Sequence, residues 1–159
     1  MGRIRRSWVL VAAVLGVAML AGGAAAANEP FAFGGTKDGD MRFDASALVS
    51  AKAVQLMGGW TDDTQSCLTT RELTVEVLID RVRNGVTTRR AFTKTGQVAN
   101  CAEGGPNFGF IKKAKGLGMG CAGGGWRPGT YTFFTKVTDT ATGIETYVDL
   151  QWVKTRACA

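Results

Sequence analysis

Histidine is absent from this 159-residue chain. That excludes the Ser-His-Asp and Cys-His arrangements of nucleophilic catalysis, and with them the commonest general base near neutral pH. Serine is scarce: beyond the N-terminal segment only Ser46, Ser50 and Ser66 remain. Ser50-Ala51-Lys52 also lacks the Ser-x-x-Lys spacing that sets a lysine beside its serine on one helix face. No Cys-x-x-Cys pair occurs, so a compact zinc knuckle has no ligand set. Gly116-Leu-Gly118-Met-Gly120 neither follows a strand nor opens a helix, which excludes a nucleotide loop. Asp38-Gly39-Asp40 with Asp44 offers the acidic start of a calcium loop without its later ligands. Carboxylates at Asp62/Asp63, Glu76/Asp80 and Asp149 are all that is left for acid–base work, and solvated charge explains them better. The expectation is a non-enzymatic protein with no catalytic residues, cofactor or metal.

What is present begins with a targeting signal. Arg3, Arg5 and Arg6 precede an uncharged run from Ser7 to Ala27 that ends in Gly22-Gly23-Ala24-Ala25-Ala26-Ala27, the three-part layout of a bacterial secretory signal peptide. An apolar stretch of about 20 residues is also long enough to span a bilayer. The glycines, the Ala-x-Ala site and the lack of a basic stop after Ala27 favour cleavage instead, with the mature chain starting near Asn28. Arg5-Arg6 fits a twin-arginine signal as well as an ordinary basic region, and general secretion is the default. The signal has no cysteine to acylate, which excludes a lipoprotein. The expected location is secreted, with no membrane contact after cleavage.

Charge and cysteine then acquire a context. The chain carries 19 Lys and Arg against 13 Asp and Glu, but without the signal arginines the excess falls to +3. Nucleic acid is therefore not an expected partner. Basic clusters at Arg81/Arg83, Arg89/Arg90 and Lys112/Lys113/Lys115 would suit anionic wall polymers, lipid head groups or an acidic partner, and a mixed-sign solvated surface explains them more simply. Cys67, Cys101, Cys121 and Cys158 all lie in the mature part, and in an exported chain four such cysteines predict two disulfides with three possible connectivities. The favoured pairing is Cys101 with Cys121, closing a glycine-rich loop, and Cys67 with Cys158.

Three textures divide the mature chain. Residues 28–42, with Pro30, Gly34, Gly35 and Gly39, read as an extended arm or linker whose Phe31 and Phe33 need a cover; residues 43–159 form the folded domain. Such an arm suits strand donation to a partner's sheet edge. Leu73, Val75, Val77 and Ile79 share one face of a strand, and Asn84-Gly85 turns it into a return strand over 86–93. Tyr131, Phe133, Thr135 and Val137 pair as a hairpin with Ile144, Thr146, Val148, Leu150 and Trp152, which places Trp152 in the core. Eighteen threonines against three serines after residue 27 fit pleated, half-exposed surfaces. Residues 45–57 tolerate helix or strand, with a lean to strand, and Gly58-Gly59-Trp60 resembles a strand end and turn. Residues 102–130 hold ten glycines, too many for a helix or central strand.

These signals predict an all-β antiparallel sandwich. Trp60, Cys67, the strand Leu73-Thr-Val-Glu-Val, Asn84-Gly85, Cys101, Cys121 and Pro128-Gly-Thr-Tyr-Thr-Phe133 together resemble small secreted bacterial proteins with an immunoglobulin-like sandwich. The resemblance covers about 100 residues, consists of framework motifs and implies fold and location only; the cysteine spacing departs from that of an antibody domain. Recognition is the function class left standing. The leading expectation is an interaction module for an extracellular or envelope protein, for instance an adaptor of a larger secreted assembly, with Phe31, Phe33, Phe108 and Trp126 as contact residues. Two alternatives are a carbohydrate or cell-wall polymer binder using Trp126 with Lys112, Lys113 and Lys115, and an enzyme inhibitor using the 101–121 loop as bait.

Overall fold

The computed structural model describes residues 29–64, 69–100 and 106–158. The signal segment, Cys67 and Cys101 lie outside the described residues. Eight strands follow one another: β1 Phe31–Asp38, β2 Met41–Val49, β3 Ala53–Asp62, β4 Thr70–Arg83, β5 Val86–Ala99, β6 Phe108–Lys113, β7 Gly129–Asp139 and β8 Glu145–Lys154. They form two four-stranded antiparallel sheets packed as a sandwich, in the orders β1-β2-β3-β6 and β5-β4-β7-β8. The all-β sandwich expected from the sequence is thus observed.

Alternation sets the layers. Leu73, Val75, Val77 and Ile79 face the core, as their spacing predicts, and meet Phe43, Ala45, Ala47 and Val49 of β2 and Val54 and Leu56 of β3. Tyr131, Phe133, Val137 and Val148 fill the same core, with Leu150 and Trp152 packed against it. Asn84 and Gly85 both adopt positive φ, 52° and 75°, as a two-residue hairpin turn between right-twisted strands requires. The return strand β5 runs on to Ala99, beyond the 86–93 expected, because the full length of β4 offers it a ladder.

Residues 45–57 are not one element but the end of β2, a turn and the start of β3. Ser50 closes the turn: its N–H donates to the Ala53 carbonyl at 2.8 Å, and its Oγ accepts from the Ala53 N–H at 3.2 Å. The turn resets the inward phase, which is why the segment alternates poorly when taken as a single strand. Gly58 and Gly59 lie inside β3 and not at its end. A Cβ at position 58 would stand 2.5 Å from Val137 and 3.0 Å from Val75, so the glycine lets the sheets approach each other there.

The segment expected as an arm or linker belongs to the domain. Residues 31–38 are β1, paired with β2 over their whole length, and residues 41 and 42 open β2, so position 43 is no boundary. The extended conformation is as expected; its partner is the chain itself. The inward residues Ala32, Gly34 and Thr36 are small and the outward ones include two phenylalanines, a pattern that hides a strand from a search for buried apolar alternation. Among its described residues, the glycine-rich 102–130 region contributes the edge strand β6 and the first residues of β7.

One end of the sandwich is held by a charged clamp. Arg71 of β4 donates from Nε and Nη2 to the Asp139 carboxylate at 3.2 and 2.7 Å, and its guanidinium lies over the rings of Trp60 and Phe43 in the other sheet. Burial pushes the Asp139 carboxyl up, but Arg71 and the Thr142 hydrogen bonds outweigh it and hold the group below its ordinary value. Trp60 Nε1 donates to the Val98 carbonyl at 2.7 Å, a second bond between the sheets.

The disulfide is Cys121–Cys158, with a Cα separation of 5.6 Å. It overturns both favoured pairings, Cys101 with Cys121 and Cys67 with Cys158. The reason is that residues 119–127 fold back on themselves, with Cys121 N–H donating to the Gly125 carbonyl and Arg127 N–H to the Met119 carbonyl, and this fold sets Cys121 beside Cys158. A bond spanning 37 residues stabilises by about 4 kcal/mol on chain entropy. With Cys121 and Cys158 joined, two disulfides require Cys67 to pair with Cys101. Peptide mapping under non-reducing conditions is expected to yield these two linked pairs and no free thiol. A Cys101–Cys121 peptide would contradict the connectivity.

Candidate protein-binding surface

The two faces of the first sheet differ in what they do. Inward residues build the core, and the outward ones follow from register. Phe31 pairs with Leu48, Leu48 with Gln55 and Gln55 with Ile111; one row along, Phe33 pairs with Ser46 and Ser46 with Met57. Paired residues of antiparallel strands share a face. Phe31, Phe33, Leu48, Met57 and Ile111 therefore lie together on the outer surface, drawn from all four strands. Phe31 is 57% exposed, Phe33 43% and Ile111 61%, and Leu48 and Met57 are half-buried between them. Side chains of this size rarely stand uncovered as a group unless another surface uses them.

A charged border adjoins this surface. Arg42 Nε donates to Asp44 Oδ1 at 2.7 Å, and the Arg42 guanidinium sits 5.3 Å from the centre of the Phe33 ring. This stacking and the ladder to β2 fix Phe33 in place. The Thr36 side chain also ties β1 to the second sheet, its Oγ1 donating to the Glu145 carbonyl at 3.1 Å. A Cβ at Gly34 would meet the Tyr147 carbonyl oxygen, so glycine is what lets β1 close over β8. β1 is thus laddered to β2 on one side, at the edge of its sheet, and its phenylalanines face outward.

The four expected contact residues divide two and two. Phe31 and Phe33 share the outer face. Phe108 lies on the opposite face of the same sheet, half-buried against the core, with Lys94 Nζ 4.3 Å from its ring and Gly96 leaving it room. Trp126 is not on a loop surface but 2% exposed, in the core. Its Nε1 donates to the Ser50 carbonyl at 2.9 Å, and its ring packs edge-on against Tyr131, Phe133 and Trp152. The glycines before Trp126 let the chain turn inward. Leu48, Met57 and Ile111 were not among the expected residues. Only the strand pairing brings them beside the phenylalanines, although the alternation of Phe110, Ile111 and Lys112 already sets Ile111 opposite its neighbours.

The remaining sequence candidates are accounted for as structure. Asp38-Gly39-Asp40 is the β1–β2 turn, with Gly39 at φ 59°. Glu76 and Asp80 lie on the outer face of the second sheet, ion-paired with Lys136 and Arg89. Lys112 stacks on Phe92 and Phe110 at 3.9 and 5.1 Å, and does not join a basic platform around Trp126.

Comparison with protein-family models found no match, and neither did comparison with curated proteins or with solved structures.

The contrast between Trp126 and Phe31 is measurable in urea unfolding. Trp126→Ala is expected to cost about 3 to 5 kcal/mol, as truncation of a core aromatic does. Phe31→Ser is expected to change stability by less than about 1 kcal/mol. Equal losses, or the reverse order, would contradict the placement of the two rings.

Proposed function

We propose that the chain is a secreted, non-enzymatic interaction module of immunoglobulin-like type that binds an extracellular or envelope protein, as an adaptor of a larger secreted assembly, through the outer face of its first sheet. The observation that carries this reading is the group Phe31, Phe33, Leu48, Met57 and Ile111, uncovered on a surface that β-pairing holds rigid. Exposed aromatic and aliphatic anchors beside a charged rim are the usual make-up of a protein contact. A rigid sheet also lowers the entropy lost on binding, since its backbone is already ordered.

The immunoglobulin-like assignment draws support from connectivity. The chain crosses between sheets after β3, after β5 and after β6, and returns β6 beside β3 and β7 beside β4. Tyr131, near the start of β7, donates its hydroxyl to the Arg127 carbonyl four residues upstream at 2.7 Å, the bond of a tyrosine corner. Export fits the Cys121–Cys158 bond, because disulfides persist in oxidising compartments. A carbohydrate reading loses its main aromatic with Trp126 in the core, and an inhibitor reading loses its loop closure with Cys121 bonded to Cys158.

Affinity capture from the native culture medium, with the mature protein as bait and mass spectrometry as readout, tests the proposal. Wild type and Tyr147→Ser, altered at an exposed ring on the other sheet, are expected to capture the same protein. Phe33→Ser combined with Ile111→Ser is expected to lose it while melting at a similar temperature. Equal capture by all three baits, or loss with Tyr147→Ser alone, would overturn the assignment of the surface.

A further inference from the structure

The inward stripe of β4 changes character at its end. Leu73, Val75, Val77 and Ile79 continue in phase to Arg81 and Arg83, so the face that carries the core becomes cationic. Arg81 pairs with Tyr131 of β7, itself an inward residue, and with Thr88 of β5. Across from the two arginines stand Arg127 and Pro128 and the chain around Cys158. Arg81, Arg83, Asn84, Thr88, Arg127 and Pro128 line an open groove of about 610 Å³.

Arg81, Arg83 and Arg127 all line this groove. Among the described residues no carboxylate side chain lines the groove, and Arg81, Arg83 and Arg127 form no ion pair. The nearest acid in sequence, Asp80, points to the opposite face and is held in a two-point pair by Arg89 at 2.8 and 2.7 Å. Arg81 is preorganised: its Nε and Nη2 donate to the Pro128 carbonyl at 3.1 and 2.6 Å, which fixes the plane of the guanidinium. A Cβ at Gly129 would stand 3.0 Å from Arg81 Nε, so glycine clears the path of this side chain. Arg127 is anchored through its backbone, with its N–H donating to Met119 and its carbonyl accepting from Tyr131. Both Arg81 and Arg127 draw the Tyr131 phenol down against a burial effect that pushes it up, so both charges act at one point.

Like charges gathered in one concavity repel one another unless an anion joins them. Guanidinium groups are the side chains best matched to oxyanions, offering paired N–H donors in one plane. The geometry points to a phosphate-binding groove formed by Arg81, Arg83 and Arg127, with the Asn84 amide and Thr88 hydroxyl as neutral hydrogen-bonding groups. It lies apart from the apolar face of the first sheet and does not depend on the function assigned to that face. Free phosphate and linear polyphosphate share the chemistry the groove recognises.

Calorimetric titration of the mature protein with inorganic phosphate and with linear polyphosphate, at low and high salt, tests this. At least one probe is expected to saturate a single site at low salt and to weaken as salt rises. Saturation by inorganic phosphate assigns a free anion, and saturation by polyphosphate alone assigns a polymer. Arg83→Gln and Arg127→Gln are exposed changes that leave the Arg81–Pro128 bond in place. Each is expected to weaken binding about tenfold or more, as loss of one charge-assisted hydrogen bond does. Arg89→Gln, on the opposite face, is expected to leave affinity unchanged. Failure of both probes to saturate would overturn the proposal, and so would an equal loss with Arg89→Gln, which would reduce the effect to general surface charge.

Discussion

Burial of Trp126 is the interaction on which much of the rest depends. Its ring occupies the core between Tyr131, Phe133 and Trp152 of the second sheet, and its indole N–H reaches the Ser50 carbonyl in the β2–β3 turn of the first. One side chain thereby ties both sheets and the segment that precedes β7. Its backbone forms a bridge with Gly120, so the 114–128 region becomes a folded strap in place of a free loop. That strap delivers Cys121 to Cys158 and sets Pro128 over Arg81. Without an anchor of this size a glycine-rich strap would lose more in chain entropy than its few backbone bonds return.

The opposite end has a different solution to the same problem. There Arg71 joins Asp139 on its own sheet and the faces of Trp60 and Phe43 on the other, and Asn100 exchanges hydrogen bonds with the Asp62 backbone. Along the β5–β6 side, Lys94 and Lys112 point inward onto Phe108, Phe92 and Phe110. Inward charges on edge strands blunt a sheet edge against pairing with other chains. The outer face of the second sheet carries threonines and the Glu76–Lys136–Glu145 and Asp80–Arg89 ion pairs, with Val82, Tyr147 and Val153 exposed among them. The outer face of the first sheet carries Phe31, Phe33 and Ile111, with the Arg42–Asp44 ion pair against Phe33. The two phenylalanines side by side on β1, joined across the sheet by Leu48, Met57 and Ile111, are why the proposed binding surface is assigned there.

Legibility in the sequence followed residue size and register. The strands with large inward residues, β4, β7 and β8, are plain from alternation, and so is the Asn84-Gly85 turn. β1 is not, because its inward positions are Ala32, Gly34 and Thr36 and its aromatics face out. The β2–β3 hairpin is obscured by the Ser50 turn, whose phase reset imitates irregularity. Trp126 misleads because three preceding glycines suggest an exposed loop, whereas they serve to turn the chain into the core. Two of the five residues of the proposed surface, Phe31 and Phe33, are readable in the sequence. Leu48, Met57 and Ile111 belong to it through pairings across the sheet that no local pattern contains, and the same holds for Cys121 and Cys158.

The most direct test of the account is hydroxyl-radical footprinting of the mature protein, alone and in its captured complex, read at single side chains by mass spectrometry. The account predicts strong labelling of Phe31, Phe33 and Met57 in the free protein, loss of that labelling in the complex, and little labelling of Trp126 in either state. Trp126 labelled as strongly as Phe31, or protection confined to Tyr147 and the second sheet, would contradict it.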